Sequence, residues 1–301
     1  EFWLAENSFS GTLPEALGEM VNLQTVFLYD NQFTGPLPTA LGNLRMFAFQ
    51  VHQNRLTGEI PVQFYNNEDL SFLRLDVNEF SGSLPGAFGR LTELEDLRLA
   101  NNSFTGVLPP SFYGLNKLRE CMASAFKSRS FSILFIPLIF QRCSGNVVLR
   151  HNQFSGGIRD SFSLWEDLDF FDVAFNNFGG FIPPSLFDVP TLRIAYLHFN
   201  NFQGALPDNY GNPPLLRDLY LNRNQLRGTI PVIQEDQLLQ LTEFLLHDNL
   251  FTGVMPASVC SLRTSPGLLE NLFADCNPPN SPEVICPRPS CCNQCFPIIS
   301  S

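Results

Sequence analysis

Residues 94–115 read LEDLRLANNSFTGVLPPSFYGL. Leu97 and Leu99 alternate with their neighbours, the mark of a short strand with one buried face. Asn102 follows, and Phe104, Gly106 and Pro109 stand two, four and seven residues beyond it. These offsets recur ten times in the 301-residue chain, counted from Asn7, Asn31, Asn54, Asn78, Asn102, Asn152, Asn176, Asn200, Asn224 and Asn249. The gaps between them are 24, 23, 24, 24, 50, 24, 24, 24 and 25 residues. Phe or Leu holds the second position after Asn and Gly the fourth in every unit, whereas Pro holds the seventh in nine of ten, with Arg159 as the exception. A fixed period of this size marks an array whose units bury their apolar edges only by stacking.

Each column has a physical reading. Stacked strands make a parallel sheet. The Asn amide can bond backbone groups of its own and the adjoining unit, and losing one such buried partner costs about 1–3 kcal/mol. The ring after it builds a stacked interior spine. Gly permits a turn that a Cβ would hinder, and Pro presets an extended path where no sheet amide is needed.

Units such as LQTVFLYDNQFTGPLPTALGNL at 23–44 and the opening stretch resemble the plant-type leucine-rich repeat, with the pattern LxxLxLxxNxLxGxIPxxLGxL. Two departures are visible: the second Leu column is mostly Phe, and the Ile before Pro is often Leu. The resemblance implies an α/β solenoid, a curved right-handed superhelix with a parallel sheet on its concave face. Short 3-10 or extended segments would form the convex side, with a disulfide-rich C-terminal cap. Ten repeats over 1–256 and a cap over 257–301 are expected.

Composition narrows the partners. With 18 Lys+Arg against 29 Asp+Glu the net charge is -11, so phosphate backbones and anionic lipid surfaces are repelled and nucleic acid is set aside. No run approaches the roughly 20 apolar residues of a membrane span, and no leader opens the chain. Membrane insertion within this chain is not expected. The sequence starts at Glu1 inside a repeat and is therefore expected to be a fragment lacking its targeting segment.

One stretch breaks the beat. CMASAFKSRSFSILFIPLIFQRCSGN, positions 121–146, accounts for the 50-residue gap as 24 plus 26. With it removed, Val147 and Leu149 fall on the columns of Leu97 and Leu99. A loop of this length is thermodynamically tolerable, but its apolar FSILFIPLIF centre would be an aggregation hazard if exposed. Its 26 codons, 78 nucleotides, would be read through in frame, so the first reading is a retained intron. The rival is a real hairpin closed by Cys121 and Cys143.

Six further cysteines, Cys260, Cys276, Cys286, Cys291, Cys292 and Cys295, follow the last repeat. An open solenoid end must be capped, and an even, dense cysteine set reads as disulfides of an oxidising compartment. The pairing is not deducible. Cys292-x-x-Cys295 has zinc-like spacing, but no second such pair or nearby His completes four ligands. The ending is similar to the caps of secreted or receptor-like members from diatom-type algae.

Function in a solenoid lives on the outward positions of the concave strands. Four and two residues before each Asn these supply Trp3, Phe27 and Tyr29 near the start and His52, Arg74, Asp76, Arg98 and Arg150 in the middle. Asp172, Tyr196, His198, Tyr220 and His247 complete the candidate ligand-binding set. Aromatics and Arg dominate recognition energies, and the basic strip would suit a carboxylate, sulfate or acidic peptide. All four His are expected on this side, with His151 beside the Asn column. His198 and His247 stand two repeats apart, roughly 10 Å, which argues against shared metal binding. No nucleophile elbow, phosphate loop, HExxH or paired catalytic carboxylates occur, so no enzyme activity, metal or cofactor is expected. One sequon, Asn101-Asn102-Ser103, fits a secretory route. The expected function is extracellular recognition of a peptide, protein or carbohydrate by a secreted protein or the ectodomain of a membrane protein. The alternatives are a structural or adhesion protein of wall or matrix, or an inhibitor of a secreted polysaccharide-degrading enzyme.

Overall fold

A computed structural model describes residues 1–118, 145–264, 266–275, 284–286, 291, 292 and 294–296. The central residues of successive strands, Val26, Phe49, Leu73, Leu97, Val147, Phe171, Ala195, Leu219 and Phe244, and Leu272 within the expected cap, stand in register and are closed to solvent. Each unit advances the chain by one strand, so every strand pairs with that of the next unit. Twelve parallel strands, from Phe2–Trp3 to Gln294–Phe296, form one sheet in chain order, the concave face of a curved solenoid.

The Asn column forms the expected ladder. Asn176 Nδ2 donates to the carbonyls of Leu149, Val173 and Ala174 at 3.0, 3.1 and 3.1 Å, and its Oδ1 accepts the Phe154 N–H at 3.0 Å. Asn31, Asn54, Asn152 and Asn249 repeat the arrangement. Each amide thus ties its own strand end to the preceding unit. The rings also stack as a spine, with centroids 6.2 Å apart for Phe80 and Phe104, 6.1 Å for Phe104 and Phe154, and 6.0 Å for Phe154 and Phe178.

The segments after the Asn column do more than turn. Gln32–Gly35, Arg55–Gly58, Ser103–Gly106 and their counterparts pair as a second, ten-stranded parallel sheet along one flank. The Gly column stands at or beside the ends of these strands with φ between 74° and 94°, a region open to glycine at little cost. Beyond it, Pro14, Pro38, Pro61, Pro85, Pro109 and Pro183 each precede a five-residue 3-10 helix on the convex side. These helices crowd: a Cβ on Gly42 would lie 2.3 Å from the Gln63 carbonyl oxygen. Arg159, which breaks the Pro column, brings an N–H that Pro lacks, and the Tyr113 hydroxyl accepts it at 3.1 Å.

The beat resumes slightly earlier than the spacing implies. Val147 pairs with Leu97 as expected, but the strand is Gly145–Val148, with Asn146 aligned on Asp96 and Phe170. Gly145 and Asn146, assigned above to the inserted stretch, are therefore sheet residues, because the ladder needs a residue in register ahead of Val147. Cys121, Cys143 and the apolar centre at 131–140 lie outside the described residues.

Among the described residues two cap disulfides are present, Cys260 to Cys291 and Cys286 to Cys292. Cys292 is therefore no thiolate partner for Cys295, and the zinc-like reading of that pair falls. Cys276 lies outside the described residues, and of Cys295 only the backbone is described, paired with Ala274. In earlier units the two N–H groups at this point donate to backbone carbonyls of the next unit, as Arg223 and Asn224 do to His247 and Asp248. Asp275 takes over: its carboxylate accepts the Asp248 and Asn249 N–H groups at 2.8 and 2.9 Å.

Candidate functional site

The concave sheet presents three outward columns, not two, because the strands begin one alternation earlier than the sequence reading used. The missed column holds Phe72, Asp96, Phe170, Ile194, Asp218 and Glu243, each opening its strand or standing two residues before an outward residue already considered. Strand alternation carries the signal; it required extending the period two residues upstream.

At the first end Trp3 sits edge-on to Phe27 at 4.8 Å, and Tyr29 stacks on His52 at 4.6 Å. Phe27 itself is 4% exposed and packs with Ala5 and Ala48. It is a platform under its neighbours, not a contact residue as expected.

In the middle the basic strip is already paired with carboxylates, three guanidinium groups on two. Asp96 accepts from Arg74 Nε and Nη2 at 2.9 and 2.6 Å and from Arg98 Nε at 3.1 Å. Arg150 Nη1 lies 3.4 Å from Asp172, whose other oxygen accepts the Ala174 N–H at 3.1 Å. Asp172 has no exposed surface, so it supports Arg150 and does not reach a ligand. Burial pushes its carboxyl up to about 6, against the opposing pull of that N–H and of Arg150. Burial likewise raises Asp76.

The second aromatic patch is larger than the sequence indicated. Tyr196 and Tyr220 stack at 4.5 Å, and His198 stands edge-on to both at 5.8 and 5.5 Å. On its other side His198 meets Phe175 at 5.1 Å and Phe199 at 5.7 Å, which stack on each other at 4.2 Å. His151 stacks on Phe175 at 4.2 Å, and the Arg223 guanidinium lies 4.6 Å over Phe199. Phe175 and Phe199, both at φ 53°, occupy the position before Asn, where every unit adopts left-handed backbone. Bulky residues are uncommon there; two in succession were the available signal for this rim. His247 continues the concave column beside Phe273, 6.2 Å away.

Burial holds His52 at about 4, helped by Arg74 and Arg98, and holds His198 at about 4, helped by His151 and Arg150. Both folded values lie below the ordinary 6.5, so their contribution to stability is intact above 6.5 and is lost as pH falls toward 4. Asp172 has the opposite sign: its value is raised, so its contribution is present at low pH and lost as pH rises through about 6. The melting midpoint is expected to drop on acidification from pH 7 to 4, and a His52→Gln/His198→Gln variant to show a shallower drop. Parallel pH–melting curves of the two proteins check this; identical acid limbs would refute it.

The pattern and the geometry meet in the comparisons. The leucine-rich-repeat family model matches residues 22–44 and 93–115. The solved structure of a TDR receptor is similar at 29% identity with a TM-score of 0.74, over 91% of this chain and 44% of that one. The chain has the curved leucine-rich-repeat solenoid fold. The repeat array is also similar to the ectodomain of GASSHO1/SCHENGEN3 from Arabidopsis thaliana, solved with CASPARIAN STRIP INTEGRITY FACTOR 2. Identity there is 27% and the TM-score 0.73, over 86% of this chain and 28% of that one. The Arabidopsis receptor kinase HAESA, solved with the peptide hormone IDA and the co-receptor SERK1, matches at 26% identity and TM-score 0.72, over 90% of this chain and 45% of that one. The repeat array thus spans under half the length of these chains. No curated protein matches it. Among the described residues no helix is long and apolar enough to cross a membrane, and no group of three His, Cys, Asp or Glu could hold a metal ion.

Proposed function

We infer that the concave sheet is a recognition surface for a peptide or protein ligand, displayed outside the cell by a secreted or receptor-like protein. One observation carries this. The core columns repeat the same residue types from unit to unit, whereas the concave columns vary along the sheet and gather partly exposed rings at Tyr29–His52 and Tyr196–His198–Tyr220. A surface selected only for solubility or uniform adhesion has no need of such rings. The complex of HAESA with the peptide hormone IDA supports a peptide ligand, and the cap disulfides support an oxidising compartment. Carbohydrate is the weaker reading, because Tyr196 with Tyr220 and Phe175 with Phe199 turn ring faces toward each other instead of toward a sugar.

The test is a selection of displayed peptides on the oxidised chain, followed by affinity measurement. Removing the two rings together, Tyr196→Ala/Tyr220→Ala, is expected to weaken selected peptides by at least about 10-fold, the scale of an interface hot spot. Replacing the exposed Phe181, which follows the flank strand Asn177–Gly180, should leave affinity unchanged. If only the Phe181 variant lost binding, the site would lie on the flank.

A further inference from the structure

The concave and flank sheets meet at a rim formed by the residue before each Asn of the ladder. In all ten units this rim residue has left-handed backbone, with φ between 52° and 57°. Asn101 is the one asparagine among the ten. Asparagine tolerates that region better than most side chains, so its presence there needs no further cause. The backbone does not explain Ser103, two residues on, at a position that other units fill with Ser, Gln, Arg, Glu, Asn or Leu. Only the fifth unit joins a rim Asn to a hydroxyl at that spacing, and with Asn102 between them they form the N-x-S motif that accepts an N-linked oligosaccharide.

The two asparagines of the motif have opposite surroundings. Asn102 belongs to the ladder: its Nδ2 donates to the carbonyls of Leu75, Leu99 and Ala100 at 3.0, 3.1 and 3.2 Å, and its Oδ1 accepts the Phe80 N–H at 2.9 Å. The fold uses that amide fully. Asn101 is exposed, and its side chain makes no hydrogen bond among the described residues. Its backbone alone is engaged, the N–H with the Arg150 carbonyl at 3.0 Å and the carbonyl with the Asn78 N–H at 3.2 Å. Ser103 is also exposed where it opens the flank strand Ser103–Gly106. A bulky group on Asn101 Nδ2 therefore leaves every bond of the ladder in place.

We propose that Asn101 carries an N-linked oligosaccharide. In the step that attaches it, Nδ2 bonds to the anomeric carbon of a lipid-linked diphosphate oligosaccharide. The diphosphate leaves with the electron pair of the broken C–O bond, and a base of the transferase takes the Nδ2 proton. The sugar stands at mid-array between Val77, 44% exposed, and His151, each one strand spacing or about 5 Å away along the rim. A macromolecular partner then reaches this part of the array across the concave face and not across the rim. This assignment rests on the extracellular reading and adds a modification to it.

The test maps the protein purified from its own source and the same chain secreted from a eukaryotic host behind a cleavable leader. Trypsin releases residues 99–117, which contain Asn101, Asn102 and Asn116. Most copies of that peptide are expected to carry one glycan, and a peptide N-glycosidase should release it and leave Asp at position 101 only. In the secretory host Asn101→Gln and Ser103→Ala should each abolish the mass shift, whereas Ser103→Thr should keep it. Ser103→Ala retains the left-handed Asn101, so its loss of glycan cannot be laid to the backbone. A glycan on Asn102, or one that survives Ser103→Ala, would overturn the assignment. Bare Asn101 in source protein whose Cys260–Cys291 disulfide is formed would overturn the assignment and leave the extracellular reading standing. Bare Asn101 together with free thiols at Cys260 and Cys291 would overturn both.

Discussion

Phe154→Ala is expected to lower the unfolding free energy by about 3–5 kcal/mol, the range for emptying a fully buried aromatic site. Phe154 has no exposed surface and stands between Phe104 and Phe178 with centroids at 6.1 and 6.0 Å. Its removal opens a gap in the spine at the unit that follows the inserted stretch. Two rigid neighbouring units prevent the gap from collapsing, which places the cost toward the upper end of the range. Leu is the natural control, because Leu56 and Leu226 hold the same column and are also fully buried. Phe154→Leu should cost under about 1.5 kcal/mol, as for volume-conserving core changes. Denaturant unfolding of the three proteins decides; an alanine variant as stable as the leucine variant would mean that the spine is not close-packed.

Asn176→Ala should cost about 2–5 kcal/mol, from leaving an N–H and one or two carbonyls buried without partners at roughly 1–3 kcal/mol each. The groups are the Phe154 N–H and the carbonyls of Leu149, Val173 and Ala174. Asn176→Asp separates the two roles of the amide. Its carboxylate can still accept the Phe154 N–H but cannot donate, and it places a charge against carbonyl oxygens at a site only 7% exposed. That environment raises the carboxyl value in the folded state, so the variant's deficit should grow as pH rises and shrink as the group protonates in acid. A deficit that stayed constant with pH would show the site to be hydrated, and the ladder would lose its energetic role.

Both residues were legible before any coordinates, and the reason is dimensional. In a stacked array each unit touches its neighbours at a constant offset, so a requirement of the fold is written ten times and stands out as a column. Asn176 and Phe154 are single instances of such columns. The concave residues have no such redundancy. Arg74, Arg98 and Arg150 were visible as a strip, but Asp96 and Asp172, which hold them, were not recognisable as partners without the register that aligns Phe72 with Asp96 and brings Arg74 alongside. Phe27 and Asp172 looked like outward residues by alternation, and burial by their neighbours removed them.

Sequence alone determined the period, the Asn ladder, the aromatic spine, the glycine turns and the need for a capped end, because each follows from repetition along one dimension. Tertiary structure decided what varies across the sheet: the second sheet on the flank, the start of the resumed array at Gly145, and the Asp275 carboxylate accepting the N–H groups that backbone carbonyls of the next unit take elsewhere. It also decided which charges are satisfied, as Arg74 and Arg98 are by Asp96. Those outcomes depend on which side chains lie about 5 Å apart on neighbouring strands, a distance that separates residues more than twenty positions apart in the chain.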